Sequence, residues 1–302
     1  MVDISVDLKT LQLKNPTILA SGIMDEDAGS MNRILHAGAA AVVTKSIGLK
    51  ERKGHPNPTF IELEHGILNA MGLPNPGIDH YKEEINQVKK KNGIVIGSIF
   101  GSTADEFKML ALKMERFGTN AVELNLSCPH AKGYGLEIGQ DPDFIKQITK
   151  SVKDAINIPV FVKLSPNVND ICILAKAAEN ANADGIVAIN TVKAMCIDID
   201  LKLPILSNKT GGYSGKAIKP IGIRNIFDIF NTVKIPIIGV GGITNALDVI
   251  EYIMAGASAV QIGSGVYYQG IDIFSTINEE LREWMQNHSY ERLTDLVGVA
   301  NK

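Results

Sequence analysis

Eight short apolar runs, helical periodicity between them and one junction repeated four times predict an α/β protein, a (β/α)8 barrel of the TIM type. The runs are Pro16–Ser21, Ala41–Ser46, Ile94–Phe100, Ala121–Ser127, Pro159–Ser165, Gly185–Thr191, Pro236–Gly242 and Ala259–Gly265. None alternates strictly between apolar and polar residues, which suits strands buried on both faces of a parallel sheet. The junction is a helix end, a small-residue turn and a strand, starting at Gly38, Gly118, Asn182 and Gly256. Repeated strand–helix units imply right-handed crossovers. A doubly wound open sheet is the competing architecture, and eight near-equivalent units favour closure.

Between the runs, Asp141-Pro142 forms an N-cap and first-turn pair, followed on one face by Phe144, Ile145, Ile148 and Val152. Thr103 to Glu106 reads as a capping box, with Phe107, Leu110, Ala111 and Met114 behind it. Asn245 caps a helix carrying Val249, Ile250 and Ile253, which stops at Gly256. Ile4–Leu13 reads as a short N-terminal β-hairpin that could plug the barrel bottom. Two connections, Ile47 to Asn92 and Val192 to Lys219, are longer than a helix requires. Both follow strands, so both are expected as long loops on the catalytic face. No linker interrupts the pattern, and residues 1–302 are expected to form a single domain.

Composition bounds the function. The 302 residues are 45% hydrophobic and 21% charged, with a net charge of −3. These values exclude a disordered chain and argue against a general binder of nucleic acid or anionic membrane. The apolar runs are too short to span a bilayer, and the first residues lack a signal core, so the cytoplasm is the expected compartment. Cys128, Cys172 and Cys196 are odd in number, and no two share a CxxC spacing. A disulfide framework is not expected, nor is a metal or iron–sulfur site built by this chain alone.

In a barrel the active site is built from the C-terminal strand ends. Here those ends carry Ser21-Gly22, Lys45-Ser46, Ser98, Asn125 to Pro129, Lys163, Asn190-Thr191, Gly241-Gly242 and Gly263-Ser264-Gly265. The glycines of the last two ends let backbone N–H groups approach an anion, at the usual phosphate site of a barrel. Lys45 and Lys163 each end an apolar strand and point to the mouth. An ion pair with a carboxylate such as Glu123 is the plain alternative, but two lysines on one face suggest an anionic partner or a reaction. One such role is a Schiff base, as in an aldolase acting on a phosphorylated substrate. Another is holding a substrate carboxylate or the charge of a reduced flavin. Cys128 follows Asn125 and Ser127 and precedes a loop with Gly133, Gly135 and Gly139, a setting for a base or nucleophile. Cys172, on the apolar face of a helix, reads as core.

Six motifs in order resemble the dihydroorotate dehydrogenase family in its class 1B, NAD-linked form: Asn69–Gly77, Glu123–Pro129, Lys163–Val168, Ile189–Thr191, Gly211–Gly215 and Gly239–Ile243. The resemblance runs from about Leu11 to Gln269. It implies FMN at the barrel mouth and oxidation of (S)-dihydroorotate to orotate in pyrimidine biosynthesis. By that resemblance Ser21, Lys45, Ser46, Asn125, Lys163, Ile189, Gly215, Gly241, Gly242, Gly263 and Ser264 contact FMN. Lys45, Asn69, Ala70, Met71, Gly72, Leu73, Asn125, Asn190 and Thr191 surround the substrate. Cys128 takes the C5 proton, and Lys163 stands at the flavin N1/O2 edge. A second subunit carrying FAD and a [2Fe–2S] cluster is implied to pass electrons to NAD⁺, in a heterotetramer containing two of each chain. A soluble acceptor such as fumarate is the other exit; a quinone suits the chain less, because no amphipathic N-terminal extension is seen.

Two positions depart from the family. Ser98 stands near the flavin where the family often has Asn, and His130 follows Cys128-Pro129 where the family often has Asn. Ser127 to His130, with Gly139 to Pro142, is also similar to the uracil-reducing barrel of dihydropyrimidine dehydrogenase. The intact Asn69–Leu73 segment and Lys45 suit a carboxylated ring instead. His130 reads equally as a substrate contact or a loop residue.

Overall fold

The computed structural model describes residues 2–9, 11–126 and 138–302. Eight parallel strands close into a barrel: β1 (Thr17–Leu19), β2 (Ala41–Val43), β3 (Val95–Ile99), β4 (Ala121–Asn125), β5 (Val160–Leu164), β6 (Gly185–Ala188), β7 (Ile237–Val240) and β8 (Ala259–Ile262). Each lies inside one of the eight apolar runs, and each pairs with its sequence neighbours, β8 closing onto β1. Closure excludes the open sheet. The strand residues are buried throughout, save the half-buried Asn125 and Val240 at the mouth. That two-sided burial explains the unbroken apolar runs.

Helices α1 (Ala28–His36), α2 (Tyr81–Lys89), α3 (Ala104–Phe117), α4 (Pro142–Lys153), α5 (Ile171–Asn180), α6 (Lys219–Phe230) and α7 (Ala246–Ala255) run between the strands. Asp141 caps α4 by accepting from the N–H groups of Asp143 and Phe144, with Pro142 in the first turn. Asn245 caps α7 through the Asp248 N–H at 3.0 Å, and Gly256 ends it at φ +125°. The predicted capping box is met only in half. Thr103 accepts from the Glu106 N–H, but the Glu106 carboxylate takes the N–H of Ser102, one residue earlier than the reciprocal bond requires. Helices α8 (Ser264–Gln269) and α9 (Ile273–Asn287) follow β8, and α9 buries Phe274, Ile277, Leu281 and Met285.

The N-terminal hairpin pairs Val6–Leu8 with Leu11–Leu13, and its buried Val6, Leu8, Leu11 and Leu13 join the barrel's apolar core. The two long connections share one four-stranded antiparallel sheet, ordered Val192–Ala194, Gly211–Ser214, Gly66–Asn69, Phe60–Leu63. Gly212 pairs with Asn69 and Ser214 with Ile67, so residues far apart in sequence become neighbours over the barrel mouth. A further hairpin, Ile197–Asp198 with Leu203–Pro204, extends from the second connection. Among the described residues no helix is long and apolar enough to cross a membrane.

One buried phenol ties two helices to the end of β7. Tyr252 of α7 is fully buried and donates to the Gly241 carbonyl at 2.8 Å, with the Val240 carbonyl at 3.2 Å. Its ring leaves no room for a side chain on β7 or α6. A Cβ at Gly239 would lie 2.4 Å from the ring, and one at Gly222 would lie 1.9 Å from the hydroxyl. Gly222→Ala is therefore expected to displace Tyr252 and cost roughly 1–3 kcal/mol. Thermal denaturation should show a lowered melting temperature that Tyr252→Phe in the same chain largely restores. Equal loss with and without the phenolic oxygen would remove this explanation of Gly222.

Candidate active site

The strand ends surround a cavity of about 460 Å³, inside the range of small-molecule sites. Of the residues predicted from sequence, Ser21, Lys45, Ser46, Asn69, Met71, Leu73, Asn125, Lys163, Ile189, Asn190, Thr191, Gly241, Gly242, Gly263 and Ser264 line it. Four do not. Ser98 lies one layer deeper, fully buried, its hydroxyl 2.9 Å from that of Ser46. The Ala70 N–H is spent on the Thr59 carbonyl, and the Gly72 carbonyl accepts from the Arg52 guanidinium at 2.8 Å. Gly215 stands behind the wall, where its carbonyl would be 2.8 Å from any Cβ on Gly242. Cys128 and His130 lie outside the described residues.

The floor is a connected polar network. Strand register puts Asn125 level with Lys163, and Glu123 level with Ser98 one layer below. The Asn125 amide donates to the Ser46 hydroxyl at 2.9 Å, which lies 3.3 Å from that of Ser21. Asn190 donates to the Asn125 carbonyl oxygen at 3.3 Å. Lys163 Nζ donates to Gln261 Oε1 at 3.2 Å and lies 3.4 Å from Glu123 Oε1. Lys45 pairs with the exposed Glu26 at 3.1 Å. Both lysines thus line the cavity and each also carries a carboxylate partner, the plain alternative to an anionic ligand. For Lys163 the physical reason is burial: an ammonium inside the barrel needs a counter-charge. An ion-paired ammonium is also a poor nucleophile, which speaks against the Schiff-base role.

The other end of the cavity is made of backbone. Gly241 and Gly242 have φ of +132° and +69°, in the left-handed region open to glycine. A Cβ on Gly242 would meet the Gly215 carbonyl at 2.8 Å and Lys219 at 2.9 Å. Ile67, Phe60 and Ser214 of the loop sheet, with Gln261 and Tyr267, also line the cavity without having been singled out from sequence. Gln261 had a visible signal, a lone amide inside a buried apolar strand. Ile67 and Phe60 had none, because a sheet formed by two separate loops leaves no local pattern, while Ser214 lies inside the Gly211–Gly215 motif and Tyr267 on α8 just after β8.

Asp25 sits beside this site, 1% exposed, with one oxygen accepting from the Gly22 N–H. Its other oxygen has no partner among the described residues. Burial pushes its pKa up to about 6, against the pull of the Gly22 N–H and Lys45. A carboxyl raised above its unfolded value of 3.8 favours the folded state while protonated, and that contribution is lost as pH rises towards and through about 6. The loss is on the order of 2–3 kcal/mol. Asp25→Asn should therefore gain stability over the parent at pH 8 and gain little at pH 4, read by denaturant melts. A gain that does not change with pH would contradict the burial of an ionising Asp25.

A closed barrel whose mouth joins a glycine cradle at the end of β7 to a cationic, amide-rich floor has the form of a barrel enzyme's active site. The family model for dihydroorotate dehydrogenase matches residues 3–285. The chain is 52% identical over 302 residues to the dihydroorotate dehydrogenase B (NAD(+)) catalytic subunit of Thermoplasma volcanium, covering 100% of both chains. It is 53% identical over 296 residues to the protein of the same name from Methanocaldococcus jannaschii, covering 97% of this chain and 96% of that one. The crystal structure of DHODH from Eimeria tenella in complex with ferulenol superposes with a TM-score of 0.85 at 23% identity, covering 99% of this chain and 89% of that one, and shows the same fold. The chain belongs to the dihydroorotate dehydrogenase family.

That membership implies FMN, and the site fits it. The cavity volume suits a ligand of that class, and one end is closed to side chains by the collisions at Gly242. The opposite wall presents an ammonium and several amides that can match a heteroaromatic ring edge.

Proposed function

We propose that this chain oxidises (S)-dihydroorotate to orotate, the redox step of de novo pyrimidine (UMP) biosynthesis, with one FMN per chain. The observation that carries the proposal is the joining, in one cavity, of the glycine cradle to a wall of Asn69, Asn125, Asn190 and two lysines. FMN, when bound, supplies at N5 the acceptor for the hydride leaving substrate C6. Ser21, Ser46, Ile189, Gly263 and Ser264 complete its pocket with Gly241 and Gly242, and Gly215 supports the cradle from behind. Ser98 acts through Ser46 rather than by contact.

The chain's own residues handle the substrate and its proton. Lys45 is 9% exposed, and its partner Glu26 is a surface carboxylate that a substrate carboxylate can replace. Asn69, Asn125 and Asn190 offer both donors and acceptors to the ring's amide edges. Thr191 is held beside them because the Asn190 side-chain oxygen accepts its N–H at 2.8 Å. Met71 and Leu73 face the ring, and Ala70 and Gly72 shape that segment through their bonds to Thr59 and Arg52. Cys128 is the general base for the C5 proton; a thiol of ordinary pKa, about 8.5, needs little lowering to do this near neutral pH. Lys163 neutralises charge at the N1/O2 edge of the cofactor.

Electrons leave to NAD⁺ through a partner. The curated relatives are named as catalytic subunits, which supports a separate electron-transfer subunit. We assign FAD and a [2Fe–2S] cluster to that partner, in a cytoplasmic heterotetramer built on a dimer of this chain. Residues 1–302 act as a single FMN-binding domain.

Dihydroorotate is expected to bleach the protein's yellow absorption under anaerobic conditions, and dihydrouracil is expected not to. Bleaching by dihydrouracil alone would overturn the substrate assignment. Cys128→Ala should keep FMN and lose on the order of 10²–10⁴-fold in turnover. Unchanged turnover would remove Cys128 as the base. Lys45→Met should raise the KM for dihydroorotate by roughly 10- to 100-fold, the worth of one charge-assisted hydrogen bond.

A further inference from the structure

Beneath the cavity, the described structure holds a carboxylate that no step above uses. Glu123 is fully buried on β4, two residues before Asn125 and so on the same, lumenal face. Its Oε2 accepts from Gln261 Nε2 at 2.6 Å. Gln261 lies on β8, four strands away around the closed barrel, so this bond crosses the lumen between opposite walls. Glu123 Oε1 lies 3.4 Å from Lys163 Nζ and 3.5 Å from the Ser98 hydroxyl. Gln261 Oε1 in turn accepts from Lys163 at 3.2 Å. Glu123, Gln261 and Lys163, from three strands, thus close a ring of mutual contacts that includes one ammonium.

Stability alone does not account for that arrangement. A buried ion pair seldom repays its own desolvation, and apolar residues of the same volume would fill the lumen at least as well. The pair does have an electrostatic consequence. The ammonium borders the cavity while the carboxylate sits below it, so the cavity receives the field of a partly cancelled charge rather than of a free cation.

We propose that Glu123, anchored across the lumen by Gln261, is the counter-charge that seats Lys163 and limits the positive field it presents to the cavity, and so sets the reduction potential of FMN bound there. Glu123 is a positioning residue: it acts through Lys163 and touches neither substrate nor cofactor. This rests on the assignment of Lys163 to the flavin N1/O2 edge made above. Reduction of FMN and addition of sulfite at its N5 both leave negative charge on that edge. An unbalanced Lys163 favours both.

The test uses the FMN-loaded protein and its Glu123→Gln and Lys163→Met variants. Midpoint potential and sulfite dissociation constant are the readouts. Glu123→Gln keeps the shape and the bond to Gln261 but removes the charge. It should tighten sulfite binding on the order of tenfold and raise the potential by about 30 mV, the equivalent of tenfold for a two-electron couple. Lys163→Met should move both quantities the other way. If Lys163→Met moves neither, the placement of the flavin edge fails and this proposal falls with it. If Lys163→Met moves both while Glu123→Gln moves neither, the placement stands and the role of Glu123 is overturned. Should Glu123→Gln not fold, Glu123→Asp, which retracts the charge by one methylene, should shift both readouts in the same direction by less. An unchanged potential in that variant, or failure of both to fold, would assign Glu123 a purely structural role.

Discussion

Closure of the parallel sheet is the constraint on which the rest of this molecule depends. Once β8 pairs with β1, every strand ends at one mouth and every lumenal side chain must be accommodated inside a narrow ring. In the lower layers apolar residues do this by packing. Near the mouth the lumen holds Lys163, Glu123, Gln261, Ser98 and Ser46, none of which reaches water freely. Closure supplies their partners, because it brings β4 opposite β8 and lets Glu123 and Gln261 bond across the barrel. An open sheet would leave the same residues on separate strands with no common centre.

The cavity has two chemically different ends for a related reason. Where backbone must approach a ligand, side chains are excluded from both sides. Gly242 faces Gly215 and Lys219, and Tyr252 fills the space behind Gly239 and Gly222 while holding the Gly241 carbonyl. Where a ring edge must be read, the strand ends contribute long polar side chains whose own rotamers are fixed by mutual hydrogen bonds. Asn190, Asn125, Ser46 and Ser21 form such a chain. Preorganisation of this kind lets a site discriminate donors from acceptors without paying to order its side chains when ligand arrives.

The loop sheet couples the two ends. Its central strands come from connections more than a hundred residues apart, paired as Gly212 with Asn69 and Ser214 with Ile67. The cavity wall at Asn69 and the strand that leads into Gly215 are therefore joined by backbone hydrogen bonds.

The sequence alone determined the barrel, the order of its strands, the glycine cradle and most of the residues at the mouth. The reason is local: two-sided burial writes an unbroken apolar run, caps and glycines mark helix ends, and a barrel puts chemistry at strand ends by rule. Asp141, Asn245 and Gly256 act as their residue types predict. Only the tertiary structure decided which groups touch. The ion partner of Lys163, the burial of Ser98 below the site, the bonds of Ala70 to Thr59 and of Gly72 to Arg52, and the raised carboxyl of Asp25 all depend on contacts between separate segments. Desolvation and counter-charge are properties of an enclosed space, and no local pattern of residues specifies what that space will contain.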